Sequence, residues 1–511
     1  MKERKSCHIC GKQKGSITLF LALILALVFS LIFSLLEAAR VQALDKIAAR
    51  KLLLGLESAF GEYQPDLWEE YGLLFLDGGD NSGKLDLRLL EGHMLEEDAL
   101  EQKESGFFQM ALRNMEITGY TLATDDGGIA FKGQVCAAIQ AQITEGAMEL
   151  LRGKAQRGEE IAQESKELER QWDSAKNAMA EAEKIEKDKS SSEASGTADQ
   201  GKTAKGDLKV SDGNLPENPV ESVEQLKRSL TLDLVTENPT EISKKAIVLS
   251  DTLEKRPKEQ GNLKVSGGGV LDKLLLLQYL DLFFSCGSGS GKRGSEEHAL
   301  EYELEYCIAG KESDYSNLEK TVKELLLIRE AGNFATIMQD GKKQALALEI
   351  ATAAVGFTGL APLIKAVQVG ILLAWCYIES ILDVRCLLAG GRVALVKAVS
   401  DWKSDVSLGK EVLSEKKERT GSKEDGLDYR EYLQILLLLV PEQVLVYRAM
   451  DVVENNMRCK DASFRMDCQI HGVQAEGVYA ANPLFASFVT AVRTKDRAYH
   501  FREHCSFAYL D

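Results

Sequence analysis

The chain has 511 residues, 45% of them hydrophobic, and its 79 acidic against 62 basic side chains give a formal net charge of −17 at pH 7. That length can bury a sizeable core and is enough for two or three domains. The acidic balance argues against nucleic acid and against an anionic bilayer surface as partners, and suits a chain kept soluble by its charge. Ten cysteines are a modest number for the length.

Residues Ile17 to Leu36, ITLFLALILALVFSLIFSLL, form an apolar run of 20 residues with no charge, proline or glycine. A helix of that length covers the hydrocarbon core of a bilayer, about 30 Å. A cleaved secretory signal has a shorter apolar region, of about 7–15 residues, so a retained transmembrane helix fits better. Lys2, Arg4, Lys5, Lys12 and Lys14 precede the run against Glu3 alone, whereas Glu37, Arg40, Asp45 and Lys46 nearly cancel after it. The bias of basic residues toward the cytoplasm predicts an N-terminus inside and the bulk of the chain outside. Eight cysteines then lie on the outer side, where disulfides form if the environment is oxidising. Cys459 and Cys468 flank a short turn and make one candidate pair, and Cys286 with Cys307 another. Connectivity does not follow from sequence.

The helical pattern continues past the run, because Val41, Leu44, Ala48, Leu52, Leu56 and Phe60 recur at three- and four-residue spacing. Gly61 and Pro65 are the first stop signals. Tyr71 to Asp77 reads as a short buried strand, and Asn114 to Gln134 as a β-hairpin turning at Asp125-Asp126-Gly127-Gly128, with Ile129-Ala130-Phe131 beginning the return strand. From Cys136 to Lys189 the pattern predicts a long exposed, highly charged helix or helical hairpin. Residues 190–218, with no aromatic side chain, predict a flexible linker.

The second half predicts helices over Val270–Phe284, Glu296–Ile308, Asn317–Glu330, Ala335–Ala354, Ala361–Asp383, Arg392–Trp402 and Tyr429–Met457. Charges interrupt the more apolar of them, which suits buried core helices better than further spans. Strands return at Phe464–Ile470 and Tyr499–Tyr509. The expected fold class is α+β and predominantly helical: a long N-terminal transmembrane and amphipathic helix, a small antiparallel sheet built from N- and C-terminal segments, and a helical second half. The expected organisation is a basic cytoplasmic leader over 1–16, the span over 17–36, a helix, hairpin and charged helix over 37–189, the linker, and a domain over 219–511.

Motifs that would carry chemistry fail on physical grounds. Gly287 to Lys292 resembles a phosphate-binding loop, but Cys286 stands at its first glycine and Arg293 at its Mg²⁺-binding hydroxyl. His500-Phe501-Arg502-Glu503-His504 matches an inverted zinc-protease pattern that works only on a helix, and the alternation of Tyr499, Phe501, Cys505, Phe507 and Tyr509 indicates a strand. Histidines four apart on a strand are separated by about 13 Å, too far to share a metal. Cys7-His8-Ile9-Cys10 is half of a zinc knuckle without a second pair nearby. No catalytic residue, cofactor or metal is expected.

Lys14-Gly15-Ser16-Ile17-Thr18-Leu19-Phe20, the apolar run and Glu37-Ala38-Ala39-Arg40-Val41-Gln42 together resemble the N-terminus of TadE/TadG-like pilus-assembly proteins. The whole chain resembles a family of single-span proteins of Gram-positive anaerobes described only as a domain of unknown function. That second resemblance rests on Tyr71–Asp77, Leu300–Tyr306 with Ala309-Gly310-Lys311, Thr358–Ile364, Trp375–Arg385 and Asp428–Tyr432. The Tad resemblance implies prepilin-type processing between Gly15 and Ser16, although Phe20 stands where pilins carry a glutamate. It implies membrane lipid and other Tad-like subunits as partners, and the role of a non-enzymatic structural or accessory subunit of a Tad/Flp-like surface apparatus. The alternative is a stand-alone membrane-tethered adhesin or ligand-binding protein.

Overall fold

A computed structural model describes residues 14–80, 82–101, 106–140, 145–193, 232–236, 239–264, 272–287, 298–404, 426–485 and 498–510, together with 220, 223 and 227. The fold is α+β and mostly helical. The chain forms two compact units: the first comprises 1–130, 258–267 and 463–511, and the second comprises 131–257 and 268–462.

The first unit is organised along α1 (Lys14–Phe60). Every side chain from Ile17 to Leu36 is exposed, and from Glu37 onward burial recurs at three- and four-residue intervals through Arg40, Leu44, Ala48, Leu52, Leu56 and Phe60. One continuous helix thus changes from uniformly apolar to amphipathic, as the spacing predicts. After α2 (Pro65–Tyr71), which ends on Gly72 at φ 66°, come β1 (Leu76–Asp77), α3 (Leu87–Glu101) and β2 (Ala111–Leu122). The strands β3 (Gln469–Ala481) and β4 (Tyr499–Ala508) close the sheet. β3 is central and every pairing is antiparallel: β2 lies along one edge, in a register that brings Ala111 opposite Ala480, while β1 and then β4 share the other. The buried stripe of α1 packs on this sheet. Leu44, Ala48 and Leu52 meet Met110, Tyr479 and Phe501, and Leu56 and Phe60 meet Met94, Met115, Ile470 and Val473. Tyr509 donates a hydrogen bond to the Phe60 carbonyl at 2.7 Å, tying the last strand to the helix end.

Three expectations change here. The stretch Tyr71 to Asp77 is strand only at Leu76–Asp77, because Tyr71 belongs to α2. The strand expected from Phe464 begins at Gln469, after a 3-10 turn over Met466–Cys468. The expected hairpin does not close: Asp126, Gly127 and Gly128 all take positive φ and lead into a helix, α4 (Ile129–Gln140), where a return strand was expected. A type I′ hairpin turn takes positive φ at its two central residues, whereas three in succession here lead into the helix. The Asp125 carboxylate fixes that departure by accepting from the Leu122 amide at 2.6 Å and from the Gly261 amide at 3.0 Å. A Cβ on Gly261 would collide with Asp125 and with the Tyr120 carbonyl, so only glycine lets this excursion of chain dock.

The second unit is helical. It contains most of α4, then α5 (Glu145–Glu193), α6 (Asp272–Phe283), α7 (Glu303–Ala309), α8 (Asp314–Ile337), α9 (Gly341–Val355), α10 (Ala361–Leu388), α11 (Tyr429–Leu439) and α12 (Glu442–Lys460). The linker expected over 190–218 lies outside the described residues, apart from Ser190–Glu193 at the end of α5. Ile161, Leu168, Trp172, Ala175, Ala178 and Ala182 give α5 a buried stripe, so it is less exposed than its charge suggested. Its alanines let it approach α10 so closely that a Cβ on Gly370 would lie 2.6 Å from that of Ala175.

The central helix α10 is long and apolar enough to cross a membrane, but 61% of its most apolar window is buried inside the unit, against none for α1. The expected helix over Arg392–Trp402 is instead a bridge between Val393 and Leu427 followed by a 3-10 turn. The expected helix Tyr429–Met457 divides at Pro441 into α11 and α12, since proline lacks the amide that would continue the first.

Charge is buried at the middle of this unit. Arg329 on α8 donates to Asp383 on α10 at 3.1 and 2.9 Å, to the Tyr432 hydroxyl at 2.8 Å and to the carbonyls of Ala394 and Leu395. Asp383 also meets Lys397. Replacing one member of such a group costs about 3–5 kcal/mol, because the other charge stays buried without its partner. Asp383→Ala is therefore expected to lower the denaturation midpoint of the second unit sharply in chemical unfolding. The double variant Arg329→Met with Asp383→Leu should be less destabilised than the single one.

Candidate functional site

Where the apolar run of α1 ends, Glu37 and Arg40 occupy one face of the helix and form an ion pair of 3.3 Å with both side chains buried. Two loops cover them. Arg40 Nε donates to the Phe107 carbonyl at 2.7 Å, and Nη1 donates to the Asn482 carbonyl at 3.0 Å. The Glu37 carboxylate accepts from the backbone amides of Leu484 at 3.3 Å and Phe485 at 3.0 Å. The pair thus fastens the loop before β2 and the loop after β3 to the helix. A buried pair offsets its desolvation only when further hydrogen bonds complete it, and these four backbone groups do so.

Aromatic rings continue the contact. Phe485 stacks on Phe33 with ring centroids 5.4 Å apart and planes 3° from parallel, and Phe29 lies next along the helix. Phe107 meets Phe485 at 6.1 Å and Phe108 at 4.9 Å, and the Arg40 guanidinium lies 5.7 Å from the centre of the Phe107 ring. Burial, and next the charge of Glu37, push the Tyr499 hydroxyl above its ordinary pKa. This arrangement transmits position: the direction in which α1 leaves the sheet is fixed by a charge pair, two loops and a ladder of rings.

A second concentration of charge surrounds the short helix α7 in the second unit. Glu303 accepts from the Ser285 amide at 2.7 Å and from Asn456 Nδ2, and lies 2.7 Å from His298 Nδ1. Glu305 accepts from the Gly287 amide at 2.9 Å and the Tyr429 hydroxyl at 2.8 Å. Asp314, the first residue of α8, accepts from Ser243 and from the amides of Glu301 and Tyr302. On α12, Asp451 accepts from the Leu253 amide at 2.8 Å and the Tyr306 hydroxyl at 3.1 Å. Burial raises Glu305 and Asp451 each to about 7. These acids bind backbone amides, so they fix loops around α7.

The residues singled out in the sequence have separate fates. Gly15 and Ser16 lie in the first turn of α1. Cys459, exposed on α12, and Cys468, buried beside β3, are not joined in a disulfide, nor are the buried Cys286 and Cys307. His500 and His504 stand on β4, with His504 3.6 Å from Glu476 of β3. Among the described residues no group of three His, Cys, Asp or Glu side chains could hold a metal. Cys7 and Cys10 lie outside the described residues, as does most of the glycine-rich stretch after Gly287. Sequence reasoning did not find the Glu37–Arg40 clamp or the acids around α7. The quoted runs Glu37–Gln42 and Leu300–Tyr306 contain Glu37, Arg40, Glu303 and Glu305, but not Asp314 or Asp451, and the partners of all six are mainly backbone groups, which leave no mark in a sequence.

A family model described as a family of unknown function, DUF5702, matches residues 210–481, more than half of the chain. Four of the five stretches quoted for the second resemblance fall within those bounds, and Tyr71–Asp77 does not. No curated protein and no solved structure matches the chain.

A carboxyl held above its unfolded pKa stabilises the fold fully while it is protonated in both states, and that contribution is lost as pH rises to the folded value. For Glu305 the window runs from 4.5 to about 7, and for Asp451 from 3.8 to about 7. The second unit should lose stability across that window, read as a falling melting temperature, and Glu305→Gln should flatten the profile. Glu37→Gln leaves Arg40 buried without its counter-charge, a change of about 3–5 kcal/mol at the clamp. Its expected signature is faster hydrogen exchange at the amides of Leu484 and Phe485, with α12 unaffected.

Proposed function

The chain belongs to this family of unknown function, DUF5702, and we propose that it is a non-enzymatic, single-pass membrane protein, a structural or accessory subunit of a Tad/Flp-like pilus or surface-assembly apparatus. Its N-terminus stays in the cytoplasm and both folded units stand outside. The observation that carries this reading is α1: its apolar half has no buried side chain, and the same helix continues as the spine of a folded unit. An apolar helix rigidly continuous with a β-sheet unit is a pilin-like outline, and the TadE/TadG-like residues around it favour the same direction.

Ala22, Ala26, Ser30 and Ser34 recur every four residues along the apolar half. Small residues at that spacing let helices approach closely in a bilayer, which supports assembly with neighbouring subunits. Processing between Gly15 and Ser16 belongs to the same proposal. The alternative, a tethered adhesin acting alone, would need no such helix contacts.

Intact mass and N-terminal sequencing of the membrane-extracted protein test this directly. The expected product begins at Ser16, resists carbonate extraction, and reverts to the unprocessed mass in a Gly15→Leu variant. A mature mass unchanged by that variant would end the prepilin version, and a chain released by carbonate would end the anchor.

A further inference from the structure

Phe107, Phe108, Leu484 and Phe485 are exposed by 44, 45, 48 and 39%. Single exposed apolar residues need no explanation. Phe107 meets Phe108 and Phe485, Leu484 adjoins Phe485 in sequence, and Phe485 stacks on Phe33. Phe33 is three residues inside the end of the apolar run, about 5 Å along the helix axis. Whatever medium surrounds the run at Phe33 also reaches Phe485.

We propose that Phe107-Phe108 and Leu484-Phe485 form a collar that dips into the boundary between headgroups and acyl chains of the bilayer crossed by α1, seating the first unit on the membrane surface. The inference rests on the anchor reading above and adds a partner for these loops, the lipid itself. Interfacial elements bury their apolar side chains by about 5–10 Å, the depth that the Phe33 stack implies. Aromatic rings are favoured at that level, where an apolar body and a polar surrounding meet.

The polar groups point the same way. Backbone amides and carbonyls entering lipid must already be hydrogen-bonded, since no water replaces the bond. The Glu37 carboxylate takes the amides of Leu484 and Phe485, and Arg40 takes the carbonyls of Phe107 and Asn482. The buried ion pair therefore satisfies four backbone groups of the two loops that carry the collar. Insertion of apolar side chains, and not attraction between charges, drives the contact, in keeping with the acidic balance of the chain.

The test places a tryptophan at the collar of the full-length chain, Phe485→Trp and separately Leu484→Trp, in vesicles of phosphatidylcholine and phosphatidylglycerol. Emission is compared with that of the unsubstituted chain, which carries Trp68, Trp172, Trp375 and Trp402. The expected result is a blue-shifted added emission, lost more strongly to lipids brominated high in the acyl chain than to lipids brominated near its end. Unquenched added emission from a chain that resists carbonate extraction overturns the collar and leaves the anchor standing. Cross-links between collars of two copies, with emission unquenched, overturn it likewise by giving the rings a protein partner. Release by carbonate overturns the anchor and the collar together.

Discussion

Leu44, Ala48, Leu52, Leu56 and Phe60 make one apolar stripe along a single long helix, and the first unit is built to cover it. A stripe of this kind is not stable in water alone, because an isolated helix gains most of its stability from packing. The sheet supplies that packing with residues of β2, β3 and β4, which come from opposite ends of the chain. The clamp at Glu37 and Arg40 then sets where cover begins. Before it every side chain from Ile17 to Leu36 is exposed, with Phe485 stacked on Phe33, and after it one face of the helix is core. Each loop that reaches the clamp, and the seat proposed for the unit on a bilayer, follows from that division.

Much of α1 was legible in the sequence because two simple periodicities describe it, an unbroken apolar run and then a three-and-four repeat. The sheet was legible only as a set of strands. Asp125-Asp126-Gly127-Gly128 is a good local hairpin signal, and what defeats it is a glycine more than 130 residues later whose amide binds Asp125. The pairing of β2 with β3 joins residues near 115 to residues near 477, a separation that no local pattern encodes. In the second unit the long helices were legible from their composition. The division at Pro441 was foreshadowed by the proline, and the loss of the helix over Arg392–Trp402 was not. There the carbonyls of Ala394 and Leu395 turn toward Arg329, which claims them from a helix that would have used them internally.

The two units use buried charge differently. In the first, one ion pair holds two loops at a helix surface. In the second, Glu303, Glu305, Asp314 and Asp451 reach backbone amides and hydroxyls around a helix of only seven residues, α7, too short to persist without such support. Carboxylates that bind amides substitute for missing secondary structure, and burial raises the pKa of Glu305, Asp314 and Asp451. The family match covers this second arrangement and ends at the last residue of β3, so the family's own pattern lies mainly in the helical unit and in the central strand of the sheet.

That strand has a consequence for how the chain matures. β3 is the central strand of the first unit's sheet, yet the whole second unit precedes it in sequence, interrupted by the first unit's excursion over 258–267. A ribosome that has completed α1, β1 and β2 has made a helix with its stripe uncovered and a strand with no neighbour, and hundreds of residues must still be added. Pairings of such long range are slow to form and leave apolar surface open in the meantime. The first unit therefore closes only around a nearly complete chain, and a product cut short in the second unit carries the uncovered stripe as a standing mark of its incompleteness.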